Sequence, residues 1–137
     1  SMPPCDRRRR TSASVGANFL LNVGPTADGE IPAVQACRLR NVGMWLKLNG
    51  GAVYGTRAGA IPPTASTVST RREDVHYVHT LAHTSDCVEL IGVPQTVQQA
   101  CLLRDGTPLA LERHNGAFRV TIPEEARDPF DTVIELR

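Results

Sequence analysis

Residues 18–29, Asn-Phe-Leu-Leu-Asn-Val-Gly-Pro-Thr-Ala-Asp-Gly, constrain the fold of this 137-residue chain more than any other stretch. Phe19 to Val23 is almost continuously apolar, as a strand must be when both of its faces are covered in a parallel sheet layered with helices. Gly24-Pro25 ends the run and Asp28-Gly29 turns the chain. Pro32 then stands where a helix favours its first residue. This is one strand-loop-helix unit of an α/β fold. The residues before it supply no second strand, so the strand is expected to lack its neighbours within this chain.

Downstream the period of the apolar residues changes. Val34, Cys37, Val42, Trp45 and Leu48 form a helical stripe, widened by Leu39 and Leu46, with Arg40 and Lys47 pointing away. Asn49-Gly50-Gly51 is a stop signal. From about residue 52 the period is two: Val75, Tyr77, His79 and Leu81 alternate with His76, Val78 and Thr80, and Phe118, Val120 and Ile122 alternate with Arg119 and Thr121. Asp105-Gly106 and Asn115-Gly116 are two-residue hairpin signals. Short strands at this spacing predict an antiparallel sandwich. The expected fold class is therefore mainly β (α+β): an antiparallel β-sandwich preceded by one strand-loop-helix unit. Three parts are expected: a disordered basic arm at 1–14, the strand-loop-helix unit at 15–51 and the sandwich at 52–137.

The block at 18–29, followed by Gly43-Met44-Trp45-Leu46-Lys47-Leu48-Asn49-Gly50-Gly51-Ala52-Val53-Tyr54-Gly55-Thr56-Arg57, resembles the α-L-fucosidases of glycoside hydrolase family 29. The resemblance continues through Val68–Arg71, Val75–His79 and Asp128–Ile134, and so covers about residues 15–137. It implies that 15–51 is the last strand and helix of a (β/α) barrel, leading into a C-terminal β-sandwich. It also implies that the catalytic Asp nucleophile and the acid/base residue lie upstream. Retaining glycosidases need two carboxyl groups about 5–5.5 Å apart, and neither of the family's pair maps onto a position here, so no catalytic residue is assigned. Barrel enzymes build their sites at the C-terminal ends of strands, which puts Asn22, Gly24 and Asp28 near the substrate by resemblance. Two departures stand out: Gly16-Ala17 in place of a Gly-rich pair, and Ala82-His83-Thr84-Ser85-Asp86 where sandwiches of the family often carry Trp-Pro.

Composition narrows the function classes. A chain of this length falls short of the roughly 200 residues a barrel takes. The net charge of +1 gives no general pull toward nucleic acid or anionic membrane. No apolar run approaches the ~18–20 residues of a membrane span. The N-terminus lacks the apolar core of a signal peptide, and the expectation leans cytoplasmic. Cys5, Cys37, Cys87 and Cys101 have no metal-like spacing and read as buried thiols, with a Cys87–Cys101 bridge left open. His76 and His79 point to opposite faces of a strand, so at most His79 and His83 could converge, short of the roughly four ligands of a zinc site. Arg7–Arg10 reads as a solvated tail, Asp28 as a turn residue that starts the helix, and Trp45 as core. No metal or cofactor is expected.

Three functions remain. The first is a non-catalytic structural or assembly module resembling the C-terminal region of a fucosidase. The second is a glycosidase whose site is completed by a second chain, using carboxylates such as Asp28, Glu124 or Glu125. The third is a β-sandwich that binds a fucosylated glycan, against which stands an aromatic content of only 4%. The exposed strand is expected to form a homo-oligomer through Phe19, Leu20, Leu21 and Val23, because an uncovered apolar strand is a template for pairing.

Overall fold

The computed structural model describes residues 12–81 and 86–137. Most of the expected basic arm, with Arg7–Arg10 and Cys5, lies outside those residues, as does His83. Residues 12–14 make a single helical turn, closed by the bond from Ala17 N–H to Ser12 O at 2.8 Å.

The long helix α1 runs over Ala33–Asn49 and passes into a 3-10 turn at Gly50–Ala52. Eight antiparallel strands follow among the described residues: β1 (Arg57–Ala58), β2 (Thr67–Arg72), β3 (Val75–Thr80), β4 (Cys87–Leu90), β5 (Ala100–Leu102), β6 (Pro108–His114), β7 (Ala117–Thr121) and β8 (Thr132–Leu136). Their order across the curled sheet is β1-β2-β3-β8-β5-β6-β7-β4. Strand β6 makes the fold-over: Pro108 and Leu109 pair with β5, while Ala110 to His114 pair with β7. This is the expected sandwich, closed by one strand that changes sheets.

The turns follow local chemistry. Asn115 and Gly116 both take positive φ (48° and 80°), so His114 and Ala117 pair directly across a two-residue loop, as that dipeptide predicts. At Asp105-Gly106 the loop is longer than a two-residue hairpin: Leu102 N–H reaches Thr107 O (2.8 Å), and Asp105 Oδ1 accepts from Thr107 N–H (2.9 Å). The Asp side chain caps the backbone there and widens the turn. The β2–β3 turn at Glu73-Asp74 has no sequence signature at all, and Glu73 sits at φ 52°.

The expected strand at Phe19–Val23 finds no partner: residues 17–26 form no ladder among the described residues. Strand geometry is defined by pairing, and this segment pairs with neither edge of the sheet, β1 or β4. Phe19, Leu21 and Val23 are half-buried, Asn22 is exposed, and Leu20 is 90% exposed.

Strand β3 carries two cores. Val78 joins Ile134, Leu136, Leu90, Leu102, Phe118 and Val120 between the sheets. Tyr77 points the other way, with Val133, Trp45 and Ala52, beneath the end of α1. Consequently His76 through Thr80 are all buried and the expected in-out alternation disappears. A strand at the middle of three layers is covered on both faces.

Candidate functional site

The end of α1 is fixed to the sheet by side chains rather than by a cap. Thr70 Oγ1 donates to Ala52 O (2.6 Å), and Arg72 Nη2 donates to Gly51 O (2.8 Å) and Tyr54 O (2.5 Å). Trp45 Nε1 donates to Asp131 O (3.0 Å), and Asn49 Nδ2 donates to Trp45 O (3.3 Å). Trp45 is buried, as its place in the apolar stripe predicts.

Beside Trp45 lies a buried polar pair. His79 Nδ1 is 2.8 Å from Asp131 Oδ2, with both side chains fully enclosed. A carboxylate only accepts, so the proton sits on Nδ1, and Nε2 has no hydrogen-bond partner among the described residues. The Trp45 ring is 6.3 Å from the imidazole, tilted by 36°. This knot ties together α1, β3 and the segment before β8. Among the described residues, the His79 and Asp131 side chains have no exposure to solvent.

The residues expected near substrate lie in the loop before α1. Thr26 N–H and Glu30 O close a turn (2.8 Å), Gly29 N–H reaches Thr26 O (3.0 Å), and Gly29 takes φ 81°. Gly24 and Asp28 are exposed in it, and Asn22 lines a furrow of about 230 Å³ with Leu21, Val23, Gln35, Leu39 and Val42. Glu124 and Glu125 are exposed in the 3-10 turn Glu124–Ala126, on the sandwich. The three carboxylates thus sit in open turns on two separate elements.

A second, polar groove of about 690 Å³ lies where β6 leaves β5, floored by Ala100, Leu109 and Glu135. Glu135 Oε1 accepts from Arg137 Nε (2.7 Å) and from the Cys101 thiol (3.8 Å). Burial, then the neighbouring carboxylate, pushes the Cys101 thiol up, while Glu135 holds Arg137 more basic than usual. Cys87 is exposed, 3.6 Å from Thr121 Oγ1, on a strand separated from β5 by two others. Cys37 is also exposed rather than buried.

The near-zero net charge conceals a strong asymmetry. Residues 31–72 carry Arg38, Arg40, Lys47, Arg57, Arg71 and Arg72 and no carboxylate, whereas 73–137 carry eleven carboxylates against five arginines. The ion pairs among the described residues, such as Arg119–Glu89 (2.9 Å) and Arg127–Asp86, belong to the acidic half. Arg57 even faces Arg71 across the β1–β2 ladder, a like-charge pairing that costs stability. Among the described residues, seven of the eight exposed large apolar ones, Val15 to Tyr54, fall in the first 54 positions. Whole-chain charge could not have shown this; charge summed by segment does.

Residues 11–51 match the family model described as α-L-fucosidase. The plasma α-L-fucosidase of Pongo abelii is 36% identical over 124 residues, covering 82% of this chain and 26% of that protein. Isoenzyme 1 of Paenibacillus thiaminolyticus α-L-fucosidase superposes with a TM-score of 0.84 at 32% identity, covering 98% of this chain and 34% of that one. The chain belongs to the α-L-fucosidase family. The Thermotoga maritima α-fucosidase gives the same picture, with a TM-score of 0.78, 26% identity, and coverage of 99% and 35%. This α-L-fucosidase segment therefore spans about a quarter to a third of the length of its relatives, and its strands match their C-terminal β-sandwich region.

Proposed function

We propose that this chain is a structural and assembly module of an α-L-fucosidase, that it does not hydrolyse fucosides alone, and that it associates through Phe19, Leu20, Leu21 and Val23. One observation carries the reading. Phe19 to Val23 is almost continuously apolar, Leu20 is 90% exposed, and the segment has no ladder partner among the described residues. Each such side chain gains roughly 1.5–3 kcal/mol when covered, and an unpaired edge adds main-chain hydrogen bonds to that gain. A second copy of the chain, paired about a two-fold axis, is the simplest cover. Asp28, Glu124 and Glu125 are all exposed, Asp28 in the turn before α1 and the two glutamates in a 3-10 turn of the sandwich, whereas retaining hydrolysis needs two carboxyl groups about 5–5.5 Å apart.

An aryl α-L-fucoside assay and light scattering after size exclusion test both halves. The expected results are no turnover and a dimer that Leu20→Asp/Leu21→Asp converts to monomer. Turnover that co-purifies with the protein and vanishes in Asp28→Asn or Glu124→Gln would instead favour a site built between chains.

A further inference from the structure

We propose that Arg57, Arg71 and His76, a row crossing β1, β2 and β3 on the sheet face turned away from α1, bind a tetrahedral oxyanion: sulfate or phosphate, free or carried as an ester on a sugar. The row contains none of the residues assigned above to self-association.

The ladders set the row. Arg57 stands directly opposite Arg71, and Arg71 directly opposite His76. Directly opposed residues of antiparallel strands share a face, with Cβ atoms about 4.5–5.5 Å apart. The alternating neighbours fix which face it is. Thr70 and Arg72 bond to Ala52, Gly51 and Tyr54 at the end of α1, so Arg71 between them points the other way. The helix end therefore does not cover the row. Strand β1 is an edge of the sheet, and Arg57 and Arg71 are both exposed.

Two facing guanidiniums repel, and nothing among the described residues balances them. Arg104, Arg119, Arg127 and Arg137 each hold a carboxylate, and Arg72 donates to two backbone carbonyls, whereas Arg57 and Arg71 form no ion pair. Glu73 and Asp74 follow in the β2–β3 turn and pair with neither. At His76 the influence of the Arg71 guanidinium exceeds that of Asp74, so the field at the inner end of the row is positive. His76 is 7% exposed, and its Nδ1 is buried with no hydrogen-bond partner among the described residues. Leu136, opposite it on β8, brings no charge. An anion seated on the row would offset the repulsion, and the donors select its class. Each guanidinium is a planar fork that takes two oxygens side by side. One carboxylate fills one fork, while a tetrahedral dianion presents oxygens to both.

Titration calorimetry with sodium sulfate, phosphate and acetate at equal ionic strength tests the site. Sulfate and phosphate should each bind at least about tenfold more tightly than acetate. Sulfate keeps its charge through the histidine range, so its affinity should rise at least about threefold between about pH 7.5 and 5.5 as His76 takes up a proton. His76→Gln should bind sulfate without that rise. Arg57→Glu places a carboxylate opposite Arg71. It should abolish sulfate binding and raise Tm in sulfate-free buffer, because a repelling pair becomes an attracting one. Arg57→Gln/Arg71→Gln should lose the binding and keep the Tm. Galactose 6-sulfate and galactose 6-phosphate separate the two sources: esters that match the free ions place the group on a sugar, and esters at least about tenfold weaker make the free ion the ligand. Equal affinity for acetate, a sulfate affinity that is flat across the pH range, or sulfate binding that survives Arg57→Glu overturns the proposal. If a variant fails to fold, the wild-type preference for sulfate over acetate and its pH dependence decide. Leu20→Asp/Leu21→Asp, the test of self-association, should leave the sulfate affinity unchanged.

Discussion

His79 and Asp131, 52 positions apart, meet through a 2.8 Å hydrogen bond with neither side chain reaching solvent. The same Asp131 accepts the Trp45 indole N–H on its backbone oxygen, so one residue joins the strand, the helix and the segment entering β8. Removing one member of a buried pair leaves the other uncompensated, which costs about 3–5 kcal/mol. Asp131→Ala should lower the unfolding free energy obtained from urea melts by that much. Trp45→Phe keeps most of the packing and loses one hydrogen bond, for a cost of about 1 kcal/mol. A destabilisation by Asp131→Ala no larger than that of Trp45→Phe would show that the pair does not anchor the helix.

Gly59 sits against Ser69, with its N–H donating to Ser69 O at 3.1 Å. A Cβ at this position would enter the van der Waals radii of both Ser69 Oγ and the Ser69 carbonyl carbon. Ser69 Oγ is itself committed to Ile61 O (2.8 Å) in the buried start of the sheet. Gly59→Ala should therefore destabilise by about 1–3 kcal/mol, the usual cost of overpacking. Because the clash includes backbone, Ser69→Ala should not rescue it. Thermal melts of the two single variants and the double variant check both statements.

The sandwich was legible in the sequence because its signals are local: alternation in β7, and two positive-φ residues at Asn115-Gly116. The helix was legible in its extent and less so in its faces. Val34, Cys37 and Leu48 belong to the predicted stripe, yet Trp45 is buried while those three are exposed. Periodicity reports that an apolar face exists, and burial depends on what stands opposite. Phe19–Val23, expected to lack neighbours in this chain, has no strand pairing among the described residues, since pairing is a property of two segments. His79 was weighed as a ligand with His83, whereas its partner is Asp131, which no spacing rule connects to it. The charge asymmetry is hidden in the total of +1, which averages over six cations at 31–72 and an acidic remainder.

His76 supplies the pH dependence. It is 7% exposed, and its Nδ1 is buried without a hydrogen-bond partner among the described residues. Burial first, and then the Arg71 guanidinium, lower its pKa from the ordinary histidine value, with Asp74 opposing. The unfolded chain then binds more protons than the folded one between the lowered value and about 6.5, so stability rises with pH across that window. The contribution is fully present above about 6.5 and is lost as the pH falls through the window toward the folded-state value. Urea midpoints measured at pH steps between about 7.5 and 5 should fall for the wild type and fall less for His76→Leu, which cannot take up the proton. Parallel curves for the two proteins would assign the acid sensitivity to other groups.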